Sequence, residues 1–401
     1  MIKKYLSRLV LLVIFTSTIL YVLKITAPDP KFNHASFETE PMQSAVLDPS
    51  LGWTLAQTKK TSGAIQTLLV THYDSQSVTA IKLHELGAIE SDNPFEVLAS
   101  LNQEQLVRAA SGEAKSTARP IKVPFSELIS VAGNANRHLA TGTNFPEHAE
   151  EAASDSVFNF PKFGRATPAR TTVDWIAGGL LDYEVELCLR FDRPITSIAD
   201  FDAAIKGFFL CGDFTERATL LRLIDPQNLD SGNGFSDAKS GPGFFPSGAL
   251  LVVPNDWRSF IAQERMTTSM NGHARQDARG SEMILDFRQL TQRVLADMHA
   301  PRFLFNEQHV KLAPNMRIDS DMILMSGTSE GVIFTMPTRA DLIDGLFSYL
   351  RGGAFLADKG VYQTLVDSFI NSEIASEHFL QPGDLVEFSA SSLGNIVVEV
   401  Q

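Results

Sequence analysis

The chain has 401 residues, with 34 Lys and Arg against 47 Asp and Glu and a formal net charge of −13. At 44% hydrophobic and 20% charged residues it has a globular composition, which excludes wholesale disorder and collagen-like repeats. The acidic balance excludes a phosphate-backbone binder, because counterion release needs Lys and Arg stripes, so no nucleic-acid partner is expected. Two cysteines, Cys188 and Cys211, make neither a disulfide scaffold nor a four-cysteine zinc site, and at most one bridge.

In chain order, Lys3, Lys4 and Arg8 precede a run without charge from Leu9 to Leu23, closed by Lys24. A cleaved signal peptide and an uncleaved membrane anchor compete for this run. The absence of a small-residue cleavage pattern after it favours the anchor, with the cationic flank cytoplasmic and the rest extracytoplasmic, periplasmic in a bacterium. Residues 1–27 are therefore read as anchor or signal segment and 28–50, polar and Pro-containing, as a tether. Residues 51–130 read as a small α/β domain, with alternation at 64–72 and 78–83 predicting strands and the spacing over 94–110 predicting a helix. Beyond 130 short strands lie between Gly, Pro, Asn and Asp turns, with helical spacing at 281–298 and in a long stretch near 338–379.

The chemistry-bearing segments begin with Gly142–Glu151, where His148 and Glu151 stand three apart at a helix start. On one helix face, Glu151 can hold His148 in one tautomer; the alternative is an exposed pair on a first turn. In Leu181–Leu189 strand alternation puts Glu184, Glu186 and Cys188 on one face. Two carboxylates side by side repel, and a divalent cation between them reverses that cost; hard oxygen donors suit Mg²⁺, Mn²⁺ or Ca²⁺. A solvated acidic face is the alternative. Asp213 follows Gly212 at a strand end, as a metal ligand or as a helix cap. Lys239 sits in a loop of Gly, Pro and aromatics, beside a substrate enolate or simply exposed. In Met325–Gly331 the Gly327–Thr328 turn offers N–H groups and a hydroxyl to a carboxylate or oxyanion.

Taken in order, these segments resemble the fumarylacetoacetate hydrolase family over roughly residues 130–401. The chain carries Gly142, Asn144, His148 and Glu151, then Asp182-Tyr183-Glu184-Val185-Glu186-Leu187, then Asp213 with Arg217 and Lys239 with Pro246 and Gly248. Asn271-Gly272 with Gln276, Gly327-Thr328-Ser329-Glu330-Gly331, Leu380-Gln381-Pro382-Gly383-Asp384 and Leu393-Gly394 complete the series. The resemblance implies a mixed α+β, β-rich fold whose β-roll catalytic domain, 131–401, carries a helical insert near 338–379 and holds Mg²⁺ (or Mn²⁺ or Ca²⁺) on Glu184, Glu186 and Asp213. His148, Glu151 and Lys239 would act in catalysis, and Arg165, Arg217, Gly327 and Thr328 would bind substrate. A 2-oxo or 1,3-dicarbonyl acid is the expected substrate, with hydrolysis of a C–C bond through a metal-stabilised enolate as the reaction and a homodimer as the expected assembly. Hydration, isomerisation, decarboxylation and a non-catalytic membrane-anchored binding protein are the alternatives.

Four departures accompany the resemblance. Phe145 replaces a tyrosine, Leu220 stands where relatives often carry Gln, and Arg165 where they often carry Lys. The stretch between Gly331 and Leu380 is about twice the length the resemblance leads one to expect. A packing or dimer-interface insert, a helical lid and a membrane-facing element are all compatible with it. If the strands carrying Cys188 and Cys211 are neighbours, a disulfide in the floor of the site is a further hypothesis, set against two small buried thiols.

Overall fold

The computed structural model describes residues 15–26, 33, 35–112, 118–154, 156–351 and 360–401. It divides into two compact units, one of Met1–Asn33 with Ile333–Phe379 and one of His34–Val332 with Leu380–Gln401. The second, larger unit is built on a ten-stranded sheet and a five-stranded sheet. In the ten-stranded sheet the early strands Ile121–Pro124, Ser77–Lys82, Ile65–Tyr73 and Gly52–Lys59 run on through Leu250–Pro254 into Lys206–Gly212 and Val185–Phe191. Gly52–Lys59 pairs antiparallel with Leu250–Pro254, so the strands of the 51–130 region are hydrogen-bonded into the same sheet as the later ones.

Beyond Val185–Phe191 come the two-residue strand Leu324–Met325, then Arg137–Gly142 and Phe158–Phe163. The sheet curls. Single bridges of Thr167 to Pro246 and of Ser247 to Cys211 connect the chain just after Phe158–Phe163 back to Lys206–Gly212. Residues far apart in strand order are therefore brought close, and Phe158, Phe160, Phe208, Phe209 and Phe245 are all buried. The five-stranded sheet, from His273–Arg279 to Arg170–Val173, packs Phe388 edge-on to Phe214.

Local chemistry explains where predicted elements end. The helix expected over 94–110 is two, Pro94–Ala99 and Gln103–Ala110, because Asn102 forms a capping box with Gln105 and restarts the helix. Asp286 caps Phe287–Asp297 in the same way and sets the start of the helix expected at 281–298. The strand expected over Leu181–Leu189 is also broken: Leu181–Asp182 pairs with Thr215–Glu216, and a separate strand begins at Val185. Residues 35–45, read as tether, are bound along the larger unit. The Glu38 N–H donates to Asp277, Arg265 donates to the Glu40 carbonyl, and Ala45 donates to Ser391.

In the smaller unit the long helical stretch resolves into Arg339–Arg351 and Val361–Ser376, and the chain near the N-terminus forms a helix over 15–25. Among the described residues no helix is long and apolar enough to cross a membrane. The apolar run expected to do so begins at Leu9, and residues 1–14 lie outside the described ones.

Candidate metal centre

Val185–Phe191 pairs antiparallel with Lys206–Gly212, with Cys211 opposite Glu186 and Gly212 opposite Val185. Opposed residues share a face, so this register brings the acids at the ends of both strands to one place. Glu184, Glu186 and Asp213 are all buried, and each offers an oxygen within 4.8 Å of the others. The break at Tyr183–Glu184 contributes: the Asp213 N–H donates to the Glu184 carbonyl (2.9 Å) and ties the two ligand-bearing ends together.

Three cations surround the acids. Lys239 Nζ donates to Glu184 Oε2 (2.7 Å), Asp213 Oδ2 (3.0 Å) and Thr215 Oγ1 (2.7 Å). Lys162 Nζ, fully buried, reaches Asp213 Oδ1 at 2.6 Å and also donates to the Lys239 carbonyl. Arg217 spans Asp182 and Glu184, with both contacts at 2.8 Å. Burial opposes ionisation of Glu184, yet Lys239 and Arg217, with His148 beyond them, hold its carboxyl down to about 2. Glu186 is the exception. Burial pushes its carboxyl well above the usual range, and the Asp213 and Glu184 carboxylates push it further.

Asp182, Glu184, Glu186 and Asp213 thus make four buried acids against three buried cations, and Glu186 is the uncompensated one. Its Oε2 accepts the Gly327 N–H at 2.8 Å, while its Oε1, buried, has no hydrogen-bond partner among the described residues. A buried carboxylate oxygen without a partner costs about 1–3 kcal/mol or more. A cation shared with Glu184 and Asp213 removes that cost, and an all-oxygen donor set fits a hard divalent ion.

The expected histidine–glutamate pair is formed. His148 Nδ1 and Glu151 Oε2 are 2.9 Å apart, both residues on the helix Pro146–Glu151, and the second Glu151 oxygen accepts the Gly331 N–H at 2.9 Å. A carboxylate on Nδ1 fixes the proton there and leaves Nε2 as the basic nitrogen.

Other predicted side chains are engaged within the protein. Thr328 donates to the Val185 carbonyl (2.9 Å) and accepts from Gln276 (2.9 Å), and the Gly327 N–H is used by Glu186. Gln276 also accepts from Val185 N–H and Thr268, and so fastens the turn to the ligand strand. Arg217 is buried between two acids, and Arg165 is exposed in the turn after Phe158–Phe163. Sequence reasoning missed Lys162, three residues before Arg165, and the Asp182 contact to Arg217. The available signal was a single lysine in the otherwise uncharged strand Phe158–Phe163. The cysteines are joined: Cys188 and Cys211 form a disulfide with their Cα atoms 6.0 Å apart, diagonal across the two ligand strands.

The fold is mixed α and β and β-rich, and its three buried carboxylates could hold a metal ion. The model of the fumarylacetoacetate (FAA) hydrolase C-terminal family matches residues 137–401, and the chain belongs to that family. Among solved structures, fumarylacetoacetate hydrolase from psychrophilic Exiguobacterium antarcticum is 15% identical, with 87% of this chain and 99% of that chain covered and a TM-score of 0.51. The 2-hydroxyhepta-2,4-diene-1,7-dioate isomerase of Mycobacterium marinum is 16% identical, covering 87% and 98%, at 0.48. Fumarylpyruvate hydrolase from Pseudomonas aeruginosa, in complex with Mn²⁺ and pyruvate, is 15% identical, covering 66% and 89%, at 0.42. Identities this low carry likeness of fold alone. No curated protein matches the chain.

Proposed function

We propose that the chain is a divalent-metal-dependent hydrolase or lyase that cleaves a C–C bond in a 2-oxo or 1,3-dicarbonyl acid. The observation that carries this reading is the buried Glu184, Glu186 and Asp213 cup with one orphaned oxygen on Glu186. These three side chains would hold the ion. Bound there, it supplies Lewis acidity that draws charge from a chelated 2-oxo acid and lowers the cost of releasing an enolate. Lys239 spends its three N–H bonds on Glu184, Asp213 and Thr215 and keeps the cup compact; it would act on a developing oxyanion through its positive charge. His148, with its proton fixed on Nδ1 by Glu151, takes a proton from water through Nε2, and the resulting hydroxide equivalent attacks the carbonyl. The C–C electron pair leaves with the departing ketone, and the imidazolium returns the proton to it.

A membrane-tethered, extracytoplasmic address for the catalytic unit belongs to the same proposal. The bridged cysteines support it, since disulfides persist in oxidising compartments. The test follows loss of acylpyruvate and oxaloacetate absorbance with and without Mg²⁺ or Mn²⁺, alongside Glu184→Ala and His148→Ala. Metal-dependent turnover lost in both variants supports the proposal. Metal binding without turnover on any of these acids favours the non-catalytic binding protein, and turnover indifferent to metal and to Glu184 contradicts the reading.

A further inference from the structure

The larger unit buries one further charge that the metal centre does not use. Val185–Phe191 carries Glu186, Cys188 and Arg190 at alternate positions. Arg190 therefore shares the face of Glu186 and lies about 13 Å further along the strand, beyond the disulfide. There it lines an open cavity of about 530 Å³ with Asp92, Gly133, Arg317, Asp319 and Asp321.

Arg190 is 7% exposed, yet its one hydrogen bond among the described residues runs from Nη1 to the Val131 carbonyl at 2.6 Å. Nε is buried without a partner, Nη2 makes no hydrogen bond, and no described carboxylate forms an ion pair with the group. A guanidinium has five N–H donors, and a buried charge left unpaired is costly. Its surroundings hold the plane in place. The Phe95 ring centroid is 5.5 Å from Cζ, and a Cβ on Gly133 would lie 3.7 Å from Cζ, Nη1 and Nη2 alike, so this glycine lies flat on the guanidinium. With the plane covered and Nη1 engaged, the Nε–Nη2 edge is left. That edge is the fork that takes both oxygens of one carboxylate.

The other charges of the cavity narrow the ligand. Arg317 is spent on Asp319. Asp92 and Asp321 are exposed, and their carboxylates have neither a hydrogen bond nor an ion pair among the described residues. Asp321 raises the Arg190 guanidinium electrostatically without touching it, against the burial that lowers it to about 10. Two uncompensated acids beside one guanidinium repel a phosphate or a dicarboxylate and attract an ammonium group. A ligand with one carboxylate and one protonated amine satisfies both ends, its oxygens on Nε and Nη2 and its N–H groups on Asp321 or Asp92. We infer that this cavity is a binding site for a small amino acid, separate from the metal centre and held through Arg190 and Asp321.

The test is isothermal titration of the full chain in EDTA, so that no amino acid chelates an ion in the carboxylate cup. The probes are glycine, alanine and 4-aminobutyrate, with acetate, ethylamine and inorganic phosphate beside them. The expected result is saturable binding of at least one amino acid at one site per chain, ten-fold or more tighter than acetate, ethylamine or phosphate. Arg190→Met should abolish that binding and Asp321→Asn should weaken it several-fold. Asp321 is exposed, so Asp321→Asn keeps the test decisive if Arg190→Met fails to fold, which its melting curve reports. No saturable binding of any amino acid overturns the inference. Binding undiminished in Asp321→Asn, or acetate or phosphate bound as tightly as the amino acids, also overturns it.

Discussion

The Cys188–Cys211 bridge gives the most direct structural prediction about the site. It joins the two strands that present Glu186 and Asp213, and it closes a loop with a sequence separation of 23. In the chain-entropy account, a loop of that length restricts the unfolded ensemble by roughly 3 kcal/mol. Spread over a unit of this size, that corresponds to a fall in Tm of about 4–5 °C on opening the bridge. Both sulfurs are fully buried, so reduction is carried out on the unfolded chain and followed by refolding under reductant. Reduction leaves no cavity and isolates the loop effect; Cys188→Ala with Cys211→Ala adds the loss of buried sulfur and is expected to cost more. Calorimetric melts of the oxidised, reduced and double-alanine proteins provide the measurement. Equal Tm values for oxidised and reduced protein, or two free thiols in the unfolded non-reduced chain, would refute the reasoning.

Three further predictions concern single side chains. Burial pushes the Glu264 carboxyl up to about 7 from an ordinary 4.5, with the Ser392 N–H as one partner. The folded state therefore binds a proton that the unfolded chain lacks between those values, so stability falls as pH rises through that window, by roughly 3 kcal/mol in all. Glu264→Gln should flatten the Tm–pH curve between pH 5 and 8; curves parallel to wild type would contradict the assignment. Gly331 has φ +94°, and a Cβ there would sit 2.1 Å from the Arg275 carbonyl oxygen. Gly331→Ala should lower the urea midpoint by the equivalent of about 1–3 kcal/mol and weaken the N–H bond to Glu151; an unchanged midpoint counts against that strain. His148→Ala should reduce turnover by ~10²–10⁴-fold and Glu151→Gln by less, both with metal affinity preserved. Equal loss of metal binding in isothermal titration would make the pair structural.

The sequence was most informative where chemistry is local. Three-residue spacing on a helix sufficed to place His148 against Glu151, and alternation plus motif order sufficed to bring Glu184 and Glu186 toward Asp213. It was least informative where the sheet curls. Lys162 reaches Asp213 because Phe158–Phe163, at one edge of the ten-stranded sheet, folds round toward Lys206–Gly212, and no spacing along the chain encodes that closure. Arg165, expected to bind substrate, is exposed, and the buried cation on Asp213 is Lys162, three residues earlier.

Gly327 and Thr328 were recognised as a turn with donors, but their donors are directed at Glu186 and Val185. Tertiary contacts decide that direction: the pairing of Ser326 with Leu187 and the Gln276 bonds to Thr328 and Val185. The tether reading failed to anticipate binding of residues 35–45 along the larger unit, because those contacts are made to Asp277, Arg265 and Ser391, more than 200 positions away. Polar, Pro-containing composition describes solubility and leaves docking open.

The central claim is that Glu184, Glu186 and Asp213 form a divalent-cation site whose uncompensated member is Glu186. Isothermal titration of the full chain with Mg²⁺ and Mn²⁺, beside Glu186→Gln and Glu184→Ala, tests it most directly. Glu186→Gln keeps the shape and an acceptor for the Gly327 N–H while removing the charge. The account predicts one ion per wild-type chain and loss of that binding in both variants, with the fold retained. No binding by wild type, or undiminished binding by Glu186→Gln, would contradict it.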